Sequence, residues 1–307
     1  MAKNMICDLE TGVCGVPGEE EMKEIDLNQS TKTIDLYYVT DPICSHFWAL
    51  EPVLGRFREE YGNHFNFHTV MGGLLEKWEG PVDPGNGIFK PADVASHWRE
   101  VGEHYRMPID GTLWHDNPVQ SSFPPSRVYK VIQHNHNDEL ANEYLRRARE
   151  ALFVFNKNIG EKSMMIEIVN NLGLDGEEII RLAEGPLGGQ LLEEDFTLAR
   201  DLGVRGFPTI IMVNKENKGV SVVGGRPLVN YISALTQTLN GEELISKDIP
   251  SLKDFLTKEK LLFSKELEVM YNLNESEISD FVKKELPIGT YEEKEILGEK
   301  YYLKVKE

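Results

Sequence analysis

One stretch limits what this chain can fold into more than any other. A run of β-branched and aromatic residues, Thr33-Ile34-Asp35-Leu36-Tyr37-Tyr38-Val39-Thr40, is cut by Asp41-Pro42 and followed at once by Ile43-Cys44-Ser45-His46-Phe47-Trp48. The first run has the composition of a buried strand. The second opens a segment from Ser45 to about Glu60 in which Trp48, Val53, Leu54, Phe57 and Tyr61 recur at helical spacing, with Pro52 inside it as a predicted kink. Phe65-Asn66-Phe67-His68-Thr69-Val70-Met71 then alternates as a second strand. A β-α-β opening of this kind favours a parallel strand pair.

The turn between strand and helix is the first place to look for chemistry. A cysteine there meets unpaired backbone N–H groups and the positive end of the helix dipole, which stabilise a thiolate. A depressed Cys44 pKa is therefore expected, with His46 adding positive charge when protonated. The bland alternative is a small, buried, inert cysteine. A second candidate is Gly203-Val204-Arg205-Gly206-Phe207-Pro208-Thr209, which runs directly into the strand-like Pro208–Val213. A proline at a strand start can be cis, leaving the residue before it free to pair with an extended peptide.

Between these motifs the texture is helical from about 91 to 202, after a Gly- and Pro-rich loop over 72–90. Beyond Pro208–Val213, a turn at 214–219, a second strand over 219–224 and a helix over 228–239 complete an α-β-β-α half. After Asn240-Gly241 the pattern changes to short helices and the strand-like Tyr301–Val305, which predicts a small α+β unit over 245–307, winged-helix-like in order. Residues 1–30 form an expected flexible arm, broken by Gly12, Gly15, Pro17 and Gly18.

Bulk properties narrow the function. The 307 residues carry a formal net charge of -18, so a nucleic-acid partner is disfavoured, as is an anionic membrane surface. A basic protein partner stays open. The first residues have no apolar stretch of the secretory kind, and no run of about 18 apolar residues occurs, so a cytoplasmic location is expected. The three cysteines, Cys7, Cys14 and Cys44, are then expected to stay reduced. Cys7 and Cys14 have six residues between them, wider than usual for a zinc pair. Three readings stay open for them: a second dithiol able to visit Cys44, a metal site completed by histidine, or two inert thiols. No histidine metal motif, phosphate loop or dinucleotide fingerprint occurs, and no bound cofactor is expected.

The strand-turn-helix with its cysteine, the helical insertion and Val204-Arg205-Gly206-Phe207-Pro208-Thr209 resemble the DsbA/FrnE branch of the thioredoxin superfamily. Val70-Met71-Gly72-Gly73-Leu74 and Phe153-Val154-Phe155-Asn156-Lys157-Asn158-Ile159 match as well. The resemblance implies an α/β thioredoxin-like domain over 31–240 with a helical insertion at about 75–185. It also implies that Cys44 matches the attacking thiol of a Cys-x-x-Cys turn, His46 its third position, and Pro208 the family's cis-proline. Phe47 stands where the resolving cysteine should be. Ser45, Phe47, Trp48, Arg205, Phe207 and Thr209 would then line the substrate groove. The preferred reading is a thiol–disulfide oxidoreductase or isomerase working through Cys44 alone on protein or small disulfides. Its release step would use an external thiol such as glutathione or bacillithiol, or the arm cysteines. The segment after 250 also resembles that of the SpxH branch, whose members present the regulator Spx to the ClpXP protease. This gives the alternative, a non-catalytic adaptor. A third reading, a glutathione-dependent isomerase of small aromatics, shares the insertion but finds no thiol-cofactor signature here.

Overall fold

The computed structural model describes residues 34–79 and 87–305, and the backbone of two short strands, β1 (Ile6–Cys7) and β2 (Cys14–Gly15). The chain divides after residue 31 into two units. In the first, β1 and β2 pair antiparallel, with Cys7 opposite Cys14 in register. The side chains of both cysteines, and the rest of the predicted arm, lie outside the described residues, as does part of the 72–90 loop.

In the second unit, β3 (Ile34–Thr40), α1 (Ser45–Tyr61) and β4 (Phe65–Met71) form the expected β-α-β, and β3 and β4 are parallel. Helix α1 runs unbroken across Pro52. After the insertion, β5 (Thr209–Asn214) and β6 (Gly219–Val223) form a hairpin, and α9 (Leu228–Leu239) follows. The strand order is β4-β3-β5-β6. The pleat sends Ile34, Leu36 and Tyr38 to one face, where they meet Phe47, Leu50, Leu54 and Phe57 of α1 and Tyr231 and Leu235 of α9. Val39 and Val70 face the other side, against Ala199.

The insertion comprises α2 (Val94–Tyr105), α3 (Leu113–Asp116), α4 (Phe123–Asn135), α5 (Asp138–Arg149), α6 (Lys162–Asn171), α7 (Gly176–Glu184) and α8 (Pro186–Asp201). Sequence periodicity predicts a single helix over 139–155. The structure instead ends α5 at Arg149 and widens into a π-helical turn over Glu150–Val154. Such widened turns are rare and often accompany a functional or packing constraint. Here both residues at the junction, Arg149 and Glu150, are buried charges.

The C-terminal segment contains α10 (Leu252–Glu259), β7 (Leu261–Phe263), α11 (Ser264–Tyr271), α12 (Ile278–Glu285), β8 (Tyr291–Ile296) and β9 (Glu299–Lys304), with strand order β7-β9-β8. It has a core of its own around Leu256, Leu262, Leu267, Val282 and Tyr302. It is nevertheless fused to the body: Leu261, Phe263 and Tyr301 belong to the same buried cluster as Trp48 and Phe153. Residues 32–307 form one compact unit.

Candidate functional site: the Cys44 turn

Cys44 is the N-cap of α1, in extended backbone, and its side chain makes no capping hydrogen bond. The Cys44 carbonyl receives the N–H groups of Phe47 and Trp48 at 3.1 and 3.4 Å, which starts the helix. Ahead of it, Asp41 ends the strand and organises the turn. Its carboxylate is fully buried and accepts from the Ile43 N–H (3.0 Å), the Leu74 N–H (2.8 Å) and the Ser122 hydroxyl (2.7 Å). One side chain thus ties the turn to the Gly72-Gly73 loop and to the start of α4.

Beneath the turn lies Arg149, which is 1% exposed. It donates to Glu51 Oε1 (2.6 Å), Thr40 Oγ1 (2.5 Å), the Tyr38 hydroxyl (3.1 Å) and the Asp41 carbonyl (3.2 Å). A guanidinium can sit here because four oxygens replace its water.

The expectation of a thiolate fails. Cys44 is only 7% exposed, and burial, with the nearby Asp41 carboxylate, pushes its pKa up to about 11. The N–H groups of Phe47 and His46 and the charge of Arg149 act the other way and do not compensate. Helix-end stabilisation is real, but withdrawal from water dominates. His46 is also biased against carrying the expected positive charge. It is half-buried, and burial together with His97, whose ring lies 5.4 Å away centroid to centroid, lowers its pKa.

The second motif arrives as expected in one respect. The Phe207-Pro208 peptide is cis, and Pro208 and Thr209 are buried at the start of β5. Thr209 is turned inward, its hydroxyl donating to the Gly206 carbonyl at 2.7 Å. The half-buried Phe207 packs on the cluster holding Cys44 and Phe47, its ring 6.1 Å from that of Phe47. It lies over Gly72, where a Cβ would fall 2.2 Å from the ring. Glycine at 72 is therefore a packing requirement of Phe207.

Of the residues expected to line a groove, Arg205 is exposed and Phe207 is partly so. Ser45, Phe47, Trp48 and Thr209 are not, since all four are buried. Phe47 fills the core, edge-on to Tyr38 at 5.1 Å. Trp48 points away from the turn into the insertion, donating Nε1–H to the Pro108 carbonyl (3.0 Å) and packing on Phe153 and Phe263. Sequence reading also missed Asp41 and Arg149 as organisers. The available signal for Arg149 was its position four residues after Leu145 and three before Leu152, on the apolar stripe of its helix. Among the described residues no group of three or more His, Cys, Asp or Glu is placed to hold a metal, and no helix is long and apolar enough to cross a membrane.

This is a thioredoxin-class protein with a DsbA-type helical insertion. A thioredoxin family model matches residues 37–232, and the chain belongs to that family. Within it, the chain stands near the SpxH branch. It is 28% identical over 280 residues to the ClpXP adapter protein SpxH of Halalkalibacterium halodurans, covering 91% of this chain and 90% of that protein. It is 27% identical to the SpxH of Bacillus subtilis, covering 82% and 83%. A putative protein disulfide isomerase from Nitrosomonas europaea superposes with a TM-score of 0.56 at 19% identity, over 68% of this chain and 97% of its own. The cytosolic disulfide reductase DsbM of Pseudomonas aeruginosa gives 0.53 at 20%, over 67% and 98%. These two structures share the fold.

Proposed function

We propose that this protein is a non-catalytic adaptor that holds a client protein and presents it to a ClpXP-type protease. The observation that carries this reading is the extent of the SpxH similarity, which takes in 91% of the chain. The oxidoreductase-like structures account for about two thirds of it. Two features of the site support the same reading: the turn has Phe47 in place of a resolving cysteine, and Cys44 is buried with its thiol protonated. The client class that fits the relatives is an Spx-like regulator, and the cytoplasm is the compartment that fits such a partner.

The test is a reconstituted degradation assay with purified ClpXP and Spx. Addition of this chain is expected to accelerate loss of Spx, and an unchanged rate overturns the adaptor reading.

A second reading is favoured by one observation: Cys44 keeps its N-cap position on α1, where the Phe47 and His46 N–H groups and the charge of Arg149 favour its thiolate. In it, the Cys44 thiolate attacks a client disulfide, forming a mixed disulfide and expelling the other client sulfur as a thiolate. An external thiolate, from glutathione or bacillithiol, then attacks the Cys44 sulfur or the client sulfur to end the cycle. Insulin reduction and disulfide isomerisation by wild type and Cys44→Ser decide it. Equal rates in the two proteins remove this reading.

A further inference from the structure

The two larger sheets have four edge strands; β7 is buried throughout, and of the other three, β4 and β8 are guarded. An unpaired strand edge is a template for another chain unless charge or side chains blunt it. At the β4 edge, the Met71 N–H is taken by Asp195 of α8 at 2.7 Å, and Asp195 is in turn held by Lys130. The β8 edge carries Glu292, Glu293, Lys294 and Glu295, all exposed. The β6 edge has neither device. Its sequence, Gly219-Val220-Ser221-Val222-Val223, has no charged residue.

The ladder fixes which groups β6 turns outward. Gly224 N–H donates to the Pro208 carbonyl (2.8 Å), and Asn214 N–H to the Lys218 carbonyl (2.9 Å). In the register of Ile210 with Val222 and Met212 with Val220, residues 218, 220, 222 and 224 therefore face β5. Residues 219, 221 and 223 face away. The Val223 carbonyl is covered by Arg226 Nε at 3.0 Å. The N–H and C=O of Ser221 and the N–H of Val223 have no partner among the described residues. Val220 and Val222 pack inward, while Val223 is 53% exposed.

Charge identifies the occupant. The chain as a whole is strongly acidic, with a net charge of -18. Around β6 the sign reverses: from 205 to 227 there are four cations, Arg205, Lys215, Lys218 and Arg226, and one anion, Glu216. All four cations are exposed. Lys215 and Lys218 stand in the turn at one end of the strand. Arg226 stands at the other, and Arg205 lies on the loop leading to that end. A five-residue strand spans about 17 Å.

We infer that β6 is a docking edge for an extended acidic segment of a partner protein, which adds a fifth strand to the sheet. Main-chain hydrogen bonds at Ser221 and Val223 supply the pairing, and small or apolar residues in the middle of the segment lie along the uncharged strand. Carboxylates at its two ends meet the cations. This deepens the adaptor reading and rests on it: the segment belongs to the client.

The test uses the full chain and a fluorescein-labelled heptapeptide, EEVTVEE, with KKVTVKK as its charge control. Binding is read by fluorescence anisotropy at low salt. Ser221→Pro removes an outward N–H without touching the β5 ladder, and is expected to weaken EEVTVEE at least about tenfold. Ser221→Ala is expected to leave it unchanged. The double variant Lys218→Glu, Arg226→Glu keeps the backbone intact and is expected to produce the same loss, which secures the test if the proline variant unfolds. Undiminished binding by a folded Ser221→Pro, or by the charge reversal, overturns the inference, as does KKVTVKK binding equally well. A dimer of the free chain that Ser221→Pro dissociates also overturns it, by assigning the edge to a second copy. The peptide assay contains no protease, so its failure leaves the adaptor reading standing. Loss of protease stimulation with peptide binding intact removes that reading alone.

Discussion

Arg146 and Arg149 stand three residues apart on α5, both buried, and they serve different parts of the molecule. Arg149 reaches under the Cys44 turn, to Glu51, Thr40 and Tyr38. Arg146 reaches the C-terminal segment: its guanidinium grips both oxygens of Glu266 at 2.7 and 2.9 Å, and Glu150 at 2.8 Å. It also lies over the Trp48 ring, 5.0 Å from the centroid. Neighbouring contacts extend that seam. Arg147 meets the Glu259 carbonyl, Lys258 meets Glu59, Arg56 donates to the Val269 carbonyl (2.8 Å), and Arg106 joins Glu268 (2.7 Å). The difference is instructive. At the turn, buried charge serves to hold a backbone shape around a thiol kept neutral. At the seam, it locks the C-terminal segment onto the thioredoxin-like body. Under the adaptor reading, a client is held by a body and C-terminal segment in fixed relation, with no need of a reactive sulfur.

The seam is the place where that comparison breaks hardest. Glu266→Ala leaves Arg146 buried with Glu150 as its remaining carboxylate and also removes the acceptor for the Phe263 N–H. Losing one partner of a buried pair costs about 3–5 kcal/mol. Urea unfolding is expected to show a loss of that size, and limited proteolysis to cut first in the C-terminal segment. Equal protection across the whole chain would mean that the apolar contacts of Leu261, Phe263 and Tyr301 hold the seam without the charges.

Arg149→Met tests the other arginine and is expected to cost less, about 2–3 kcal/mol. The reason is that Glu51, the carboxylate left behind, is 20% exposed and can recover water, whereas Arg146, the guanidinium left behind by Glu266→Ala, is 9% exposed and recovers less. A larger loss for Arg149→Met than for Glu266→Ala, in the same urea series, reverses the ranking of the two regions.

The fold of the turn region is legible in the sequence to a degree that its electrostatics is not. Strand β3, helix α1, strand β4 and the β5–β6 hairpin follow from local periodicity and from breakers such as Asp41-Pro42 and Gly203. Cys44, Phe47 and Phe207 fall together in one cluster, as the motifs imply. The burial of Cys44 is not local. Phe207 closes over Gly72, and these come from segments 135 positions apart, so no window around the cysteine reports the cover. Arg149 is hidden for a similar reason, since Thr40 and Glu51 are 109 and 98 residues away. In the C-terminal segment the short helices and the strand around Tyr301 are readable, but β7 (Leu261–Phe263) is not, and the fusion to the body depends on Arg146 and Glu266, 120 residues apart.

Cys44 gives the next effect in size. A thiol whose pKa is raised to about 11 is protonated in the folded chain through the range where an unfolded thiol ionises. The contribution is complete below about pH 8.5 and is lost as pH rises toward 11, because the unfolded state then gains by ionising and the native state does not. Wild type is therefore expected to lose stability over that window by about 1–3 kcal/mol more than Cys44→Ala does. At pH 8, alkylation of native Cys44 by iodoacetamide is expected to be about a hundredfold slower than in urea. Alkylation as fast as that of the unfolded chain would restore the reactive thiol and, with it, the exchange reading.

His46 provides the smallest effect and the most direct view of what the turn has kept. Its pKa is lowered from 6.5 by burial and then by His97, so the folded protein favours the neutral ring. That preference stabilises above about pH 6.5 and is lost as pH falls, when the unfolded state takes up the proton more readily. Because the ring is partly exposed, solvent screens the effect, and a change of about a degree or two in Tm is expected between about pH 7.5 and 5.5. His46→Gln should flatten that dependence, and His97→Gln should flatten it less, because burial outweighs the neighbouring histidine. An unchanged slope in His46→Gln would mean that acid sensitivity arises elsewhere. A reversed slope would mean that the ring is stabilised as a cation beside Cys44, the arrangement a redox turn requires and this buried one does not provide.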